Sequence, residues 1–86
     1  MELHLYTSAF CEPCLQTRGV LAEAERLVPD ARVTEFDVVV HEERAQAAGI
    51  RSTPTVIVLN AEGAEVFRAE GVPNLAQVLV AAAKAV

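Results

Sequence analysis

The chain has 86 residues, 7 of them basic and 12 acidic, for a formal charge of −5. A mass of 9.2 kDa scales to roughly 4,900 Å² of folded surface with about 63% of the unfolded surface buried, enough for one domain with one modest core. The acid excess disfavours nucleic-acid phosphates and anionic lipid, no apolar run reaches the ~18 residues of a membrane span, and 52% apolar content argues against disorder.

Leu3-His4-Leu5-Tyr6-Thr7 alternates and predicts a strand with Leu3, Leu5 and Thr7 on one face. From Glu12 to Val28, Leu15, Val20, Leu21, Ala24, Leu27 and Val28 recur at helical spacing, and Pro29-Asp30 ends the segment. Arg32 to Val40 is β-branched and predicts a second strand, ending by Val38. His41 to Ala48 predicts a short polar helix stopped at Gly49. Thr55-Val56-Ile57-Val58-Leu59 is a continuous apolar run, as in a strand covered on both faces. Asn60 to Gly63 is turn chemistry, and Glu65 to Ala69 alternates beyond it, predicting an antiparallel hairpin with Gly63 at the turn. Gly71 breaks that strand. Pro73-Asn74 opens a last helix with Leu75, Val78, Leu79, Ala82 and Val86 on one side.

The order β-α-β-α-β-β-α predicts an α/β fold, a four-stranded mixed sheet flanked by three helices in a single domain over residues 1–86. Right-handed crossovers would make the strands of each early β-α-β unit parallel, with the hairpin adding an antiparallel edge.

The chemistry is carried by Phe10-Cys11-Glu12-Pro13-Cys14, after the first strand and at the start of the first helix. Two cysteines are too few for a disulfide-dense secreted scaffold, and a close pair in a reducing compartment points to redox or metal chemistry. A thiolate at a helix N-terminus faces unpaired N–H groups and the positive end of the dipole, which lowers its pKa. Cys11 is therefore the candidate exposed nucleophile. Cys14, one turn further in, is the candidate resolving thiol. Pro13 suits the first turn, where its missing N–H has no partner to lose. The bland alternatives are half a zinc site completed by His4 and His41, whose spacing is wrong for it, and an inert cysteine pair.

Ser52-Thr53-Pro54-Thr55 is the second carrier. Proline at the head of an apolar strand removes a ladder donor. A cis Thr53–Pro54 bond would leave the Thr53 backbone free to pair with an extended peptide; a trans edge-strand proline is the base-rate alternative.

Together these segments, with Gly49-Ile50-Arg51 before the second and Gly71 before the last helix, resemble the thioredoxin superfamily over essentially the whole chain. The resemblance implies a thioredoxin fold, a cis Pro54, a nucleophilic Cys11, a resolving Cys14, and a substrate groove lined by Phe10, Thr53 and Gly71, with Glu12 and Pro13 beside the sulfurs. It also implies a chain of glutaredoxin size that lacks the N-terminal β-α unit of full-length thioredoxins. Pro13 directly before the second cysteine leans to the thioredoxin side. The Gly71-Val72-Pro73-Asn74 segment lacks the acid with which glutaredoxins clamp glutathione. The chain departs from the family in three places: Phe10 stands where thioredoxins carry Trp, Leu5 where they bury an Asp, and Glu35 where they carry a facing Lys. Proton transfer at Cys14 would then use water, Glu35, Glu12 or Asp37, while the bland reading of Glu35 and Asp37 is a solvated strand face. The charge of Glu12 should oppose the helix dipole and make the protein a reductant. His4 reads as a packed or half-exposed strand residue and His41 as a surface one.

The expectation is a monomeric cytoplasmic dithiol–disulfide oxidoreductase, since Met1-Glu2-Leu3-His4 lacks a secretory signal's basic flank and apolar run. It would need no cofactor or metal. Its partners would be protein disulfides and a disulfide reductase or other electron donor, without nucleic acid or membrane. The alternatives are a glutathione-dependent glutaredoxin and a non-catalytic module binding metal or peptide.

Overall fold

The computed structural model describes residues Met1–Val86. In chain order its elements are β1 (Glu2–Thr7), α1 (Glu12–Leu27), β2 (Arg32–Asp37), α2 (Glu42–Ala47), β3 (Thr55–Leu59), β4 (Glu65–Glu70) and α3 (Leu75–Lys84). The strands form one mixed sheet in the order β2-β1-β3-β4. Accessible surface totals 5073 Å², close to the value that mass alone suggests.

The alternation in β1 reads as one buried face, yet every residue from Leu3 to Thr7 is buried. The strand lies between β2 and β3 with helices over both sides, so its polar positions are covered too. Leu3 and Leu5 join Val56 and Val58 of β3 against Leu21 and Ala24 of α1 and Val78 and Ala81 of α3. On the opposite face Tyr6, Phe36 and Ile57 pack with Ala45 of α2. Each fully buried Leu or Val contributes about 1.5–3 kcal/mol, which makes the α1/α3 face the main source of stability. His4 is tolerated inside because its Nε2 lies 2.8 Å from Glu2 Oε1 and its ring meets Phe36 edge-on.

One topological expectation fails. β1 and β2 are parallel, from Glu2 opposite Arg32 to Thr7 opposite Asp37. β3, however, runs antiparallel to β1, with Leu3 opposite Val58, so it is not parallel to β2. The reason is length. The 16 residues of α1 rise about 24 Å, enough to carry the chain back along the sheet, whereas the 6 residues of α2 rise only about 9 Å against a strand of roughly 20 Å. The chain therefore enters β3 at the end where it left β2.

Three further expectations shift by a few residues. β2 stops at Asp37, and Val39 and Val40 are 77% and 75% exposed. The Asp37 carboxylate accepts from the N–H groups of Val39 (2.8 Å) and Val40 (3.2 Å), a local turn that overrides β-propensity. The buried stripe of α1 is Cys14, Thr17, Leu21 and Ala24, while Leu15 and Leu27 face outward. Thr17 can be buried because its hydroxyl donates to the Pro13 carbonyl at 2.8 Å. Asn74 caps α3 in a reciprocal box with Gln77, and the buried positions are Val78, Ala81 and Ala82, with Val86 left exposed past the helix end.

Candidate functional site

The site is built where β1 hands the chain to α1. Phe10 adopts φ 57°, a left-handed conformation that costs a non-glycine residue roughly 1–2 kcal/mol. This sharp turn places Cys11 as the N-cap of α1, where its Sγ accepts from the Cys14 N–H at 3.2 Å. Pro13 sits in the first turn, as its chemistry suggests. Cys11 and Cys14 are joined by a disulfide, their Cα atoms 5.2 Å apart. Cys14 is 1% exposed, whereas Cys11 is half-buried and Glu12 and Pro13 are exposed. Phe10 has no apolar packing at all: its ring stands in solvent beside the sulfurs instead of covering them.

Two regions flank this pair. On one side Phe10, Cys11, Glu12, Leu15, Arg18, Glu35 and Asp37 line a cavity of about 370 Å³ floored by Thr7, Ser8 and Ala9. Thr53, Pro54, Gly71 and Pro13 do not line it. On the other side lies the loop before β3. Its Thr53–Pro54 bond is cis. Ser8 Oγ and Thr53 Oγ1 share a 2.6 Å hydrogen bond, tying this loop to the segment that leads into Cys11. The Thr55 hydroxyl donates to the Ser52 carbonyl at 2.7 Å, and the Gly71 N–H donates to the Pro54 carbonyl at 2.8 Å. Gly71 adopts φ 96°, a region open to glycine, so a side chain here would be strained at the loop's edge. Pro54 is buried, and no backbone hydrogen bond outside the helices and strands involves Thr53.

Glu35 stands on the exposed face of β2, as a solvated strand residue would, but its carboxylate is paired. Arg18 grips it through Nε (2.7 Å to Oε1) and Nη2 (2.6 Å to Oε2), and the buried Thr7 hydroxyl donates to Oε2 at 3.0 Å. The Arg18 hydrogen bonds hold the Glu35 carboxyl below the usual carboxylate range, with the Thr7 hydroxyl adding to them and partial burial opposing both. Its β1 neighbour, Leu5, is fully buried and supplies no charge. Sequence reasoning passed over Arg18. The signal was there: Arg18 lies four residues after Cys14 and seven after Cys11, on the side of the helix that carries both sulfurs.

His4 and His41 lie elsewhere. Both rings meet Phe36 on the α2 side of the sheet, and Arg44 stacks over the same phenyl ring with its guanidinium carbon 4.5 Å from the centroid. No three His, Cys, Asp or Glu side chains converge in a geometry suited to a metal ion.

No protein-family model matches the sequence, and no curated protein does. Solved structures match the fold closely. A reduced thioredoxin from Schistosoma mansoni superposes with TM-score 0.85 at 25% identity, over 99% of this chain and 78% of that one. A mutant thioredoxin from Halobacterium salinarum gives 0.87 at 24% identity, over 98% and 73%. Thioredoxin 1 from Thermosipho africanus gives 0.82 at 18% identity, over 98% and 92%. The sheet order, the three helices and the placement of the cysteine pair make this a thioredoxin-fold protein. That fold carries a close Cys11–Cys14 pair at the start of α1.

Proposed function

We propose that the protein reduces protein disulfides, with Cys11 as nucleophile and Cys14 as resolving thiol. The single observation that carries this reading is the asymmetry of the pair: Cys11 caps the helix and is reachable, while Cys14 is 1% exposed one turn below it. The Cys11 thiolate attacks one sulfur of the substrate disulfide, and the departing substrate thiolate takes up a proton. Cys14 then loses its proton and attacks Cys11 Sγ, releasing the second substrate thiolate and closing the Cys11–Cys14 bond. Two electrons leave the protein per cycle, so a disulfide reductase or dithiol donor must restore it.

The loop of Thr53 and Pro54 supports an extended substrate segment docking by strand addition, because the Thr53 backbone is unpaired and Gly71 keeps that edge free of a side chain. Phe10 would supply an apolar contact on the approaching surface, and Glu12 and Pro13 would border the mixed disulfide. The acidic neighbourhood of Cys11 and the absence of an acid in Gly71–Asn74 favour protein disulfides over glutathione, an anion. No helix is long and apolar enough to cross a membrane. The proposal includes a cytoplasmic, monomeric protein.

Reduction of insulin disulfides by the pre-reduced protein tests the assignment. Stoichiometric reduction is expected, with loss of activity in Cys11→Ser and a trapped mixed disulfide in Cys14→Ser. Rapid turnover with glutathione alone, and none with dithiol donors, would transfer the assignment to a glutaredoxin. Stoichiometric metal in the purified protein that disappears in Cys14→Ser would replace it with a binding module.

A further inference from the structure

Three carboxylates and one cation share the cavity that opens onto Cys11: Glu12 and Arg18 from α1, Glu35 and Asp37 from β2. On the β3/β4 side Arg51 and Glu70 are paired with each other and do not line this space. A thiol beside uncompensated carboxylates ionises reluctantly, since each negative charge disfavours a second. Glu12 is exposed at the helix start and has no salt-bridging partner, and solvent weakens its field as it does that of the exposed Glu35. Asp37 is committed to the turn after β2 by the two N–H groups it accepts. Glu35 is the carboxylate that a salt-bridging side chain engages, and Arg18 is that side chain.

We propose that Arg18, by clamping Glu35, sets the ionisation of the Cys11 thiol. The clamp has a directional geometry. Arg18 projects from the same helix as both cysteines and reaches β2 with two parallel hydrogen bonds, which fixes where the carboxylate stands and cancels most of its charge. Thr7 holds the same carboxylate from beneath. The cavity thus presents a net charge nearer −2 than −3 to the sulfur. Arg18 acts through Glu35 and touches no substrate in this scheme, so it is a positioning residue. The inference deepens the proposed dithiol chemistry and rests on Cys11 being its nucleophile.

The consequence is a pair of shifts with opposite signs. A unit charge facing the sulfur across a partly solvated cavity changes a thiolate population by about two- to tenfold. Arg18→Gln leaves Glu35 uncompensated, so less Cys11 is ionised at pH 6. Glu35→Gln leaves Arg18 uncompensated, so more of it is ionised. The double variant R18Q/E35Q returns to within about twofold of the parent, because both charges are gone. Arg18→Lys keeps the charge without the fork and stays close to the parent.

The experiment is the pH–rate profile for alkylation of the fully reduced proteins with iodoacetamide, with the modified cysteine read by peptide mass, and thermal melts by circular dichroism to show that each variant is folded. Opposite displacement of the two single-variant midpoints supports the proposal. Displacement of both in one direction, no displacement in either, or an Arg18→Lys midpoint as high as that of Arg18→Gln overturns it. Failure of the underlying dithiol reading shows itself separately, in the parent protein alone: its cysteines would then not open and close reversibly in a glutathione redox buffer.

Discussion

Replacing Thr7 with Val removes one hydroxyl from the floor of the redox cavity while keeping the side chain's shape. Thr7 is 2% exposed, and its Oγ1 donates at 3.0 Å to Glu35 Oε2. A hydrogen bond to a charged acceptor is worth about 1.5–3 kcal/mol when fully enclosed. The Glu35 side chain is 35% exposed, so water replaces part of the lost bond and the expected cost at neutral pH falls to about 1 kcal/mol. In a domain of this size that is a drop in Tm of roughly 4–8 °C. The sign with pH follows from the lowered carboxyl of Glu35. A group whose folded pKa is depressed contributes stability above its unfolded pKa of about 4.3 and loses it as pH falls through the folded value. The cost of Thr7→Val should therefore be present at pH 7 and shrink at an acid pH where the carboxyl is protonated. Urea denaturation of both proteins at the two pH values measures it. An equal cost at both, or no cost at pH 7, refutes the Thr7–Glu35 bond as the cause.

Other expectations follow from the same geometry. Leu21→Ala removes a fully buried side chain between α1 and the sheet and should cost about 2.7–5 kcal/mol in urea melts, whereas a cost under about 1 kcal/mol would contradict the packing described. Asn74→Ala opens the capping box of α3 and should cost about 1 kcal/mol with no change in disulfide reduction. Phe10→Ala should leave stability within about 0.5 kcal/mol, since the ring packs on nothing, while raising KM for insulin disulfides. An unchanged KM would remove Phe10 from the docking surface. In the reduced protein, iodoacetamide should modify Cys11 well before Cys14, and equal rates would deny the burial difference on which the functional reading stands.

Much of the architecture was legible because it depends on short-range patterns. The apolar run at Thr55–Leu59 declared a strand covered on both faces, and its bounds coincide with β3. Asn74 and Pro73 marked the start of α3 through capping chemistry, and the Cys-Glu-Pro-Cys segment marked a helix start with its two sulfurs one turn apart. These features are local: a few adjacent residues contain all the physics involved.

What the sequence by itself settled was therefore the kinds of element, their order, and the placement of a cysteine pair at a helix end. What only the tertiary structure decided was which side chains meet across elements. The direction of β3 depended on the reach of α2 against the length of a strand. Burial of Thr17 and exposure of Leu15 depended on which side of α1 met the sheet. The pairing of Arg18 with Glu35 joins residues 17 positions apart, and no spacing rule within one element anticipates a bond that exists only because β2 lies beside β1 beneath α1. Short-range chemistry is written into neighbouring residues, whereas long-range contact is the outcome of the whole chain's packing.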